Sequence, residues 1–275
     1  MSRRRLALVA GSGALVPRAL AAAREAGWEV RVLTLHPRAD LAHEDPFQIK
    51  VSRPDQVLRE IRKFNATHVC AVGGMHMSDR ERETLADFTG DDDKAKAKGD
   101  AKLSQLGSVL LKMLGIPFIG VHEIVTDLLA PEGQFGALEL DSELAAIARF
   151  AFNSARRAGE LDLGQALVVS GARIIATEDI AGTDTLLARC RDFRARGLVG
   201  DGAARMVLAK VSKPGQPLHV DLPAVGPDTV TGAVEAGIAA IAVEAGRTLL
   251  IEREKLVARA DAAGIALVGF KAEDA

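Results

Sequence analysis

Short apolar runs alternate with helix-like patterns along the first half of the chain. Residues 6–10 form a continuous apolar run, which is typical of a parallel strand covered on both faces. Similar runs predict strands at 30–35 and 68–72, and a helix is predicted from Val16 to Ala26. Because strands that alternate with helices form parallel sheets through right-handed crossovers, we expect an α/β fold with an N-terminal Rossmann-like domain over residues 1–130.

The end of this domain is less regular. The remaining predicted elements are helices at 54–64, 100–114 and 122–129, and a strand at 117–121. The tract 89–102 is polar and of mixed charge, which is typical of a solvated loop. The turn-forming sequence APEGQ follows at 130–134 and marks the predicted domain boundary.

The second half mixes strands and helices in a different order. Strands are predicted at 166–170, 173–177, 206–209, 239–243, 249–251 and 266–270, together with a short strand that ends at Asp221. Helices are predicted at 141–158, over about ten residues to Phe193, at 229–236 and from Glu252 onward. Asp141 is the predicted N-cap of the first of these helices, and Thr183 or Asp184 is that of the second. We expect a C-terminal catalytic domain of mixed α/β type over residues 135–275.

The stretch from Met206 to Gly226 carries the most chemistry. Lys210 and Lys213 follow its first predicted strand, and Asp221 stands where the next extended segment ends. Two ammonium groups close in sequence to a carboxylate suit a site that binds a phosphorylated ligand and activates a water molecule or a metal ion. An alternative stays open, in which both lysines are solvated and Asp221 caps the helix that follows.

Two glycine-rich turns stand at the carboxyl ends of predicted parallel strands, where such sheets bind ligands. They contain Gly11, Ser12 and Gly13 after the first strand, and Gly73 and Gly74 after the third. We expect their backbone N–H groups to contact a phosphate or another polar ligand. A nicotinamide dinucleotide is not expected, because valine replaces the third glycine of that fingerprint and no acidic residue ends the second strand.

Composition narrows the classes of function. The chain has 275 residues, of which 48% are hydrophobic and 26% charged, and its net charge is −2. This balance is that of a folded protein and gives no reason to expect nucleic-acid binding. Cys70 and Cys190 lack metal-ligand spacing, so neither a zinc site nor a disulfide scaffold is expected. No apolar run is long enough to span a bilayer, and the run before Gly11 is too short for a signal peptide, so we expect a cytoplasmic protein.

Four segments of the second half resemble the motifs of a known family. They are GELDLGQALVV (159–169), ATEDIAGTDTLLAR (176–189), LAKVSKPGQPLHVDLPAVG (208–226) and AGIAAIAVEAGRTLLIERE (236–254). In these motifs and their order the chain resembles the UDP-2,3-diacylglucosamine pyrophosphatases of lipid A synthesis, the type that is unrelated to calcineurin-like phosphoesterases. LALVAGSGALVP near the N-terminus and GVHEIV at 120–125 resemble the family more weakly.

The resemblance implies hydrolysis of the pyrophosphate of UDP-2,3-diacylglucosamine to UMP and 2,3-diacylglucosamine 1-phosphate, with Mg²⁺ or Mn²⁺ as the metal ion. It also implies two α/β domains with the substrate between them. Catalysis and metal binding would fall on Asp221, within the motif VDLP, and Lys210 is expected to assist catalysis. The further residues expected to bind substrate in this cleft are Gln165, Thr183, Asp184 and Lys213.

Two segments depart from the family pattern. After Gly74 the chain reads MHMSDR in place of an asparagine followed by a basic residue and a proline, and the tract 89–98 is polar where the family is more apolar. A non-enzymatic protein that binds a UDP-sugar or a lipid precursor remains an alternative. The expected partner is the lipid substrate, with at most peripheral contact with the inner membrane, and the sequence is compatible with a homodimer. An apolar groove for the acyl chains is hypothesised around 144–152 and 230–241.

Overall fold

The structure, a computed structural model, describes residues 4–50, 53–74, 78, 80–81, 115–200, 204–219 and 222–272. Asp221, the polar tract 89–102 and the predicted helix 100–114 therefore lie outside the described residues. The chain divides into two compact units. The first unit contains Met1–Asp127 and Pro217–Asp221, and the second contains Leu128–Gln216 and Leu222–Ala275.

The first unit contains a four-stranded sheet in which every strand pair is parallel. Its elements are β1 (Arg5–Ala10), α1 (Leu15–Glu25), β2 (Glu29–Thr34), a 3-10 helix (Ala39–Glu44), β3 (Phe47–Gln48), α2 (Pro54–Lys63), β4 (His68–Val72) and α3 (Val121–Ile124). The strand order is β3-β2-β1-β4, so the order reverses between β1 and β4 as it does in doubly wound sheets. The predicted parallel sheet is confirmed.

The apolar pattern explains β1 and α1. Leu6 and Leu8 of β1 are fully buried, and α1 buries Val16 and Leu20, which lie one helical turn apart on one face. Gly27 follows the helix with a φ of 80°, in the left-handed region where glycine ends helices without steric cost. The helix therefore begins and ends close to the predicted residues.

The strand predicted at 117–121 is wrong. Phe118 makes only an isolated parallel bridge with Val69. The Val69 amide donates a hydrogen bond to the Pro117 carbonyl, and the Val69 carbonyl accepts one from the Ile119 amide. Proline has no N–H with which to extend such a ladder, which explains why the pairing stays short.

The helix predicted at 122–129 is also wrong in its length. It is limited to α3, because Val125 already has extended backbone angles. Beyond it, the carbonyl of Leu128 accepts a hydrogen bond from the amide of Leu250, and the amide of Ala130 donates to the carbonyl of Thr248. The backbone here pairs with a neighbouring extended segment and cannot continue the helical hydrogen bonds.

The second unit contains a six-stranded mixed sheet with the order β5-β12-β10-β8-β6-β7. Its elements are β5 (Gly133–Gln134), α4 (Ser142–Glu160), β6 (Ala166–Ser170), β7 (Arg173–Thr177), α5 (Gly182–Ala195), β8 (Met206–Lys210), β9 (Ala224–Val225), α6 (Pro227–Ala236), β10 (Ile238–Glu244), β11 (Leu249–Leu250), α7 (Arg253–Ala263) and β12 (Ala266–Phe270). Strands β8, β10 and β12 are parallel to one another, whereas β5 and β6 run antiparallel to their neighbours. The predicted mixed α/β unit is confirmed.

Successive residues of the central strands face two separate apolar cores. Leu208 and Ile241 belong to the core that also contains buried residues of α5, α6 and α7. Val207 and Ala242 belong to the core that contains buried residues of α4. The sheet is therefore covered on both faces, as the continuous apolar runs predict.

Most large apolar side chains of the two stretches hypothesised to form the acyl-chain groove are buried in the core, whereas Phe150 and Val234 are exposed, so the groove stays a prediction. Leu144 and Phe152 are buried in the core beneath α4, and Val230 and Ile241 are buried in the core on the other face. These apolar side chains hold the helices on the sheet.

The strand predicted to end at Asp221 is not present in the described residues 211–219. The next paired residues of the chain are those of β9. Pro214 and Pro217 lack the N–H groups that a strand would need at these positions. The helix that follows, α6, has Gly226 as its N-cap residue, and Thr229 Oγ1 accepts a hydrogen bond from the Gly226 amide at 3.2 Å.

The predicted N-caps of the first two helices differ in outcome. Asp141 is confirmed as the N-cap of α4, since its Oδ1 accepts a hydrogen bond from the Leu144 amide at 2.9 Å. The N-cap of α5 is Ala181, so the prediction of Thr183 or Asp184 is wrong. Both residues lie in the first turn of α5, where the Thr183 hydroxyl bonds to another side chain.

Candidate active site

One edge of the sheet in the second unit carries several polar and charged side chains. Lys210 and Glu244 end the parallel strands β8 and β10. Gln165 precedes β6, whose first residue pairs with Lys210, and Glu178 follows β7, the neighbour of β6. Since β6 is antiparallel to β8, its start lies at the edge where β8 ends. This is the edge at which open α/β sheets bind ligands.

A chain of hydrogen bonds links Lys210 to Glu178 through Thr183. Lys210 Nζ donates to Thr183 Oγ1 at 2.7 Å, and Thr183 Oγ1 donates to Glu178 Oε1 at 2.5 Å. The second carboxylate oxygen of Glu178 accepts a hydrogen bond from the backbone amide of Gln165 at 2.9 Å. The buried Thr183 hydroxyl is thereby fixed in orientation, with its proton on the side of the carboxylate and a lone pair toward the ammonium group.

Gln165 and Lys213 are connected to the same edge through Gln216. Gln165 Nε2 donates to Gln216 Oε1 at 3.0 Å, and the Lys213 amide donates to the same oxygen at 2.9 Å. The Lys213 ammonium forms an ion pair with Asp162 at 2.5 Å. The ion pair places the Lys213 ammonium group beside Asp162, where it still has further N–H donors.

The predicted residue Asp184 is exposed in the first turn of α5. A carboxylate there interacts favourably with the positive end of the helix dipole, which is a structural reason for an acid at this position. Asp221, the predicted catalytic and metal-binding residue, lies outside the described residues. The structure thus brings together Gln165, Thr183, Lys210 and Lys213, and leaves the roles of both aspartates as predictions.

The two glycine turns of the first unit are hydrogen-bonded to each other. The Ser12 amide donates to the Gly74 carbonyl and the Gly74 amide donates to the Ser12 carbonyl, both at 2.9 Å, while the Gly11 amide donates to the Val72 carbonyl at 2.9 Å. A Cβ atom on Gly11 would lie 2.3 Å from the Gly74 carbonyl oxygen, and one on Gly73 would lie 2.3 Å from that of Ser12. Close backbone approach therefore explains these glycines, and three of the amides expected to bind a ligand already have partners.

Arg38 lies over the first of these turns. Its guanidinium group donates to the carbonyl oxygens of Gly11 at 2.7 Å and Gly13 at 3.2 Å, and it forms an ion pair with Asp40 at 2.6 Å. The arginine thereby satisfies two carbonyl oxygens of the turn and fixes the turn's conformation. The predicted contacts of Gly11, Ser12, Gly13, Gly73 and Gly74 with substrate stay a prediction.

Sequence reasoning missed four polar residues of the sheet edge. They are Glu178, Ser212, Gln216 and Glu244. Glu178 and Glu244 directly follow or end apolar strand runs, which is the same signal that singled out Asp221. Applying that signal to every strand would have found both glutamates, whereas Ser212 and Gln216 have no local signature.

The cysteines and the metal-binding groups restrict the chemistry. Burial raises the pKa of the Cys70 thiol to about 12 and that of Cys190 to about 11, so neither thiol is a nucleophile near neutral pH. Among the described residues no cluster of three or more His, Cys, Asp or Glu side chains could hold a metal ion.

Within the same residues, no helix has the length and apolar character that crossing a membrane requires.

Comparison with known proteins finds matches over nearly the full length of the chain. Residues 5–128 match the family model of the LpxI N-terminal domain, and residues 131–268 match that of the LpxI C-terminal domain. A protein of Caulobacter vibrioides named UDP-2,3-diacylglucosamine pyrophosphatase LpxI is 30% identical over 282 aligned residues, which cover 98% of this chain and 99% of that protein. These matches agree with the resemblance found in the second-half motifs, and the chain belongs to the LpxI family.

Proposed function

We propose that the protein hydrolyses UDP-2,3-diacylglucosamine to UMP and 2,3-diacylglucosamine 1-phosphate in lipid A synthesis. The observation that carries this proposal is the full-length relationship to a protein that bears this activity in its name. The sheet edge supports it, since Lys210 offers a cation and Gln165 a side-chain amide where such sheets bind ligands, while Thr183 holds the Lys210 ammonium group in place.

The reaction joins a water oxygen to one phosphorus atom and breaks the bond from that phosphorus to the bridging oxygen. Negative charge grows on the phosphoryl and leaving oxygens, and a preorganised ammonium group such as that of Lys210 stabilises this charge. The Thr183 hydroxyl holds the ammonium group at one position, and Glu178 fixes the hydroxyl. In this proposal Asp221 orients the attacking water or binds the metal ion.

A divalent metal ion is part of the proposal. Mg²⁺ is commonly held by one or two carboxylates together with substrate phosphate oxygens, so a cluster of three acidic side chains is not required. Asp221 and the pyrophosphate would provide such a donor set, and oxygen donors of this kind suit Mg²⁺ or Mn²⁺ better than Zn²⁺. When bound, the ion supplies further charge neutralisation on the phosphates.

Exposed aliphatic side chains near the sheet edge suggest where the acyl chains bind. Leu161 is 72% exposed, Leu163 is 54% exposed and Ile180 is 96% exposed. Their two loops are in contact, because a Cβ atom on Gly164 would lie 2.8 Å from the Glu178 carbonyl oxygen. We define Leu161, Leu163 and Ile180 as the aliphatic lip and propose that it covers part of the acyl chains.

The proposal is tested by incubating the purified protein with UDP-2,3-diacylglucosamine and Mg²⁺ and measuring UMP. We expect UMP and the lipid phosphate in equal amounts, no turnover after exhaustive EDTA treatment, and recovery when Mg²⁺ or Mn²⁺ is restored. Binding of the substrate without release of UMP would instead support the non-enzymatic alternative. Full turnover in EDTA would contradict the metal requirement alone.

A further inference from the structure

The segment 211–216, which we call the site loop, leaves the sheet directly after Lys210 and carries Lys213. Its residues Val211, Ser212 and Gln216 are buried, although the loop has no regular secondary structure. Buried backbone and side-chain polar groups require hydrogen-bond partners, because an unpaired group loses its interaction with water. The partners of the site loop therefore decide where Lys213 and Gln216 lie.

Glu244, at the end of β10, receives the first part of the loop. Its Oε2 accepts a hydrogen bond from the Ser212 amide at 2.9 Å and another from the Ser212 hydroxyl at 2.6 Å. The glutamate is only 5% exposed. A carboxylate buried to this extent persists only when donors and a counter-charge compensate for its lost hydration.

Arg247 supplies the counter-charge and reaches both ends of the loop. Its Nε lies 3.6 Å from Glu244 Oε1 and donates to the Ser212 hydroxyl at 2.8 Å. Its Nη2 donates to the Gln216 carbonyl. One planar guanidinium group thus joins the start and the end of the loop, which the single ammonium of a lysine cannot do.

The far end of the loop connects to the candidate active site. Gln216 Oε1 accepts hydrogen bonds from the side-chain Nε2 of Gln165 and from the backbone amide of Lys213. The backbone amide of Gln165 donates to Glu178. The loop also packs on α4, where a Cβ atom on Gly159 would lie 3.7 Å from Lys213 Cα. The hydrogen bonds therefore run without a break from Glu244 to the Lys210–Thr183–Glu178 chain.

We propose that Glu244 and Arg247 are positioning residues for the hydrolysis, acting through the site loop without contacting the substrate. This inference rests on the proposed function. A buried ion pair adds little net stability compared with apolar side chains of similar size, whereas its directional hydrogen bonds select one loop conformation. Positioning, more than stability, is the role that this pair performs.

The test compares two variants with a matched control in the full-length protein. Glu244→Gln removes the negative charge of the carboxylate. Arg247→Lys keeps the positive charge but removes the planar guanidinium group that bonds to both ends of the loop. Arg205→Gln is the control, because Arg205 is 29% exposed and pairs with Asp141 and Glu143, while Arg247 is 30% exposed. Arg205 precedes the first residue of β8, at the end of that strand opposite Lys210.

We expect kcat to fall about tenfold or more in Glu244→Gln and Arg247→Lys, with KM changed less than about threefold, because a displaced loop affects mainly the transition state. Arg205→Gln should keep kcat within about twofold. A purely structural role would lower the melting temperature without this kcat-specific loss. Wild-type kcat in both folded variants would overturn the proposal.

Hydrogen exchange separates this inference from the proposed function. The Ser212 and Lys213 amides should exchange about tenfold faster or more in Glu244→Gln than in the wild type, whether or not the protein releases UMP. Unchanged exchange overturns the positioning role. Absence of UMP release by the wild-type protein overturns the proposed function instead. If Glu244→Gln fails to unfold cooperatively, Arg247→Lys and Ser212→Ala provide the same comparison.

Discussion

The Thr183 hydroxyl serves two charged neighbours, since it accepts from Lys210 and donates to Glu178. We predict that Thr183→Val, which keeps the shape and removes the hydroxyl, lowers kcat for UMP release about tenfold or more, because Lys210 and Glu178 lose the group that orients them. The free energy of unfolding should fall by about 1–3 kcal/mol, as expected when a buried hydrogen-bonding group loses its partner.

Thr185→Val is the matched control for this change. Thr185 lies on the same helix, is exposed, and donates only to the Ala181 carbonyl among the bonds of the described residues. Its loss should leave kcat within about twofold. An equal decrease in both variants would mean that the hydroxyl of Thr183 has no special role.

Asp221 remains the residue on which the proposed chemistry depends most. We predict that Asp221→Ala binds UDP-2,3-diacylglucosamine with nearly wild-type affinity, yet releases UMP at least about a thousandfold more slowly, because the carboxylate acts mainly in the transition state. Calorimetric titration and a UMP assay measure the two effects separately. The control is Asp228→Ala, in the first turn of α6. A variant of Asp221 that retains a substantial part of kcat would exclude its catalytic role.

At the scale of single elements, α4 depends on its N-terminal cap. The Arg205 guanidinium beside Asp141 holds the pKa of that carboxyl well below its usual range, and the Leu144 amide lowers it further. A carboxyl whose pKa is lower in the folded state stabilises the fold above its ordinary pKa of about 3.9, and this contribution is lost as the pH falls below that value.

We therefore predict a pH-dependent effect of Asp141→Asn. Asparagine keeps a capping oxygen and loses the ion pair, so the variant should melt below the wild type at neutral pH, and the difference should shrink toward about pH 3. Asp141→Ala should melt lower than Asp141→Asn at neutral pH. A difference between wild type and Asp141→Asn that is constant from neutral to acid pH would show that the ion pair does not contribute.

The aliphatic lip is a second feature at this scale. We predict that the double variant Leu161→Ser and Ile180→Ser lowers kcat/KM for the diacylated substrate about tenfold or more, since each fully buried aliphatic side chain contributes about 1.5–3 kcal/mol. Turnover of an analogue with short acyl chains should change little. Leu198→Ser is the control, because this exposed leucine lies beside Arg173 at the hairpin end of β7. Equal losses on both substrates would exclude acyl-chain binding by the lip.

At the scale of the whole molecule, the stability of the isolated second unit should depend on where the fragment begins. The Leu128–Ala130 backbone bonds to Thr248 and Leu250, and β5 pairs with β12. We predict that a fragment 128–275 melts at a higher temperature than a fragment 135–275, which lacks both pairings, and that neither releases UMP. Thermal unfolding followed by circular dichroism measures this. Equal melting temperatures would show that the pairings are dispensable.

The local pattern of apolar and turn-forming residues was sufficient to predict most helices and strands. It was insufficient where hydrogen bonds to residues far along the chain determine the local structure. Strands β4 and β12 have the predicted bounds, because continuous apolar runs between turn residues leave few alternatives. The predicted helix 122–129 is shorter in the structure, since the backbone bonds of Leu128 are made with a residue far along the chain. The bonds of Ser212 to Glu244 and of Gln165 to Gln216 join positions 32 and 51 residues apart, which no local pattern contains.

The segment 217–221 belongs to the first unit although it follows most of the second along the chain. The His219 ring of this segment lies against the Phe118 ring in a tilted arrangement, with ring centroids 5.4 Å apart. During synthesis domains fold from the N-terminus as the ribosome releases them. The parallel sheet of the first unit can form early, but its last piece leaves the ribosome only after Gln216. A nascent chain stalled before that point would hold an incomplete first unit, in which Phe118 packs on the core of the parallel sheet but lacks its ring contact with His219.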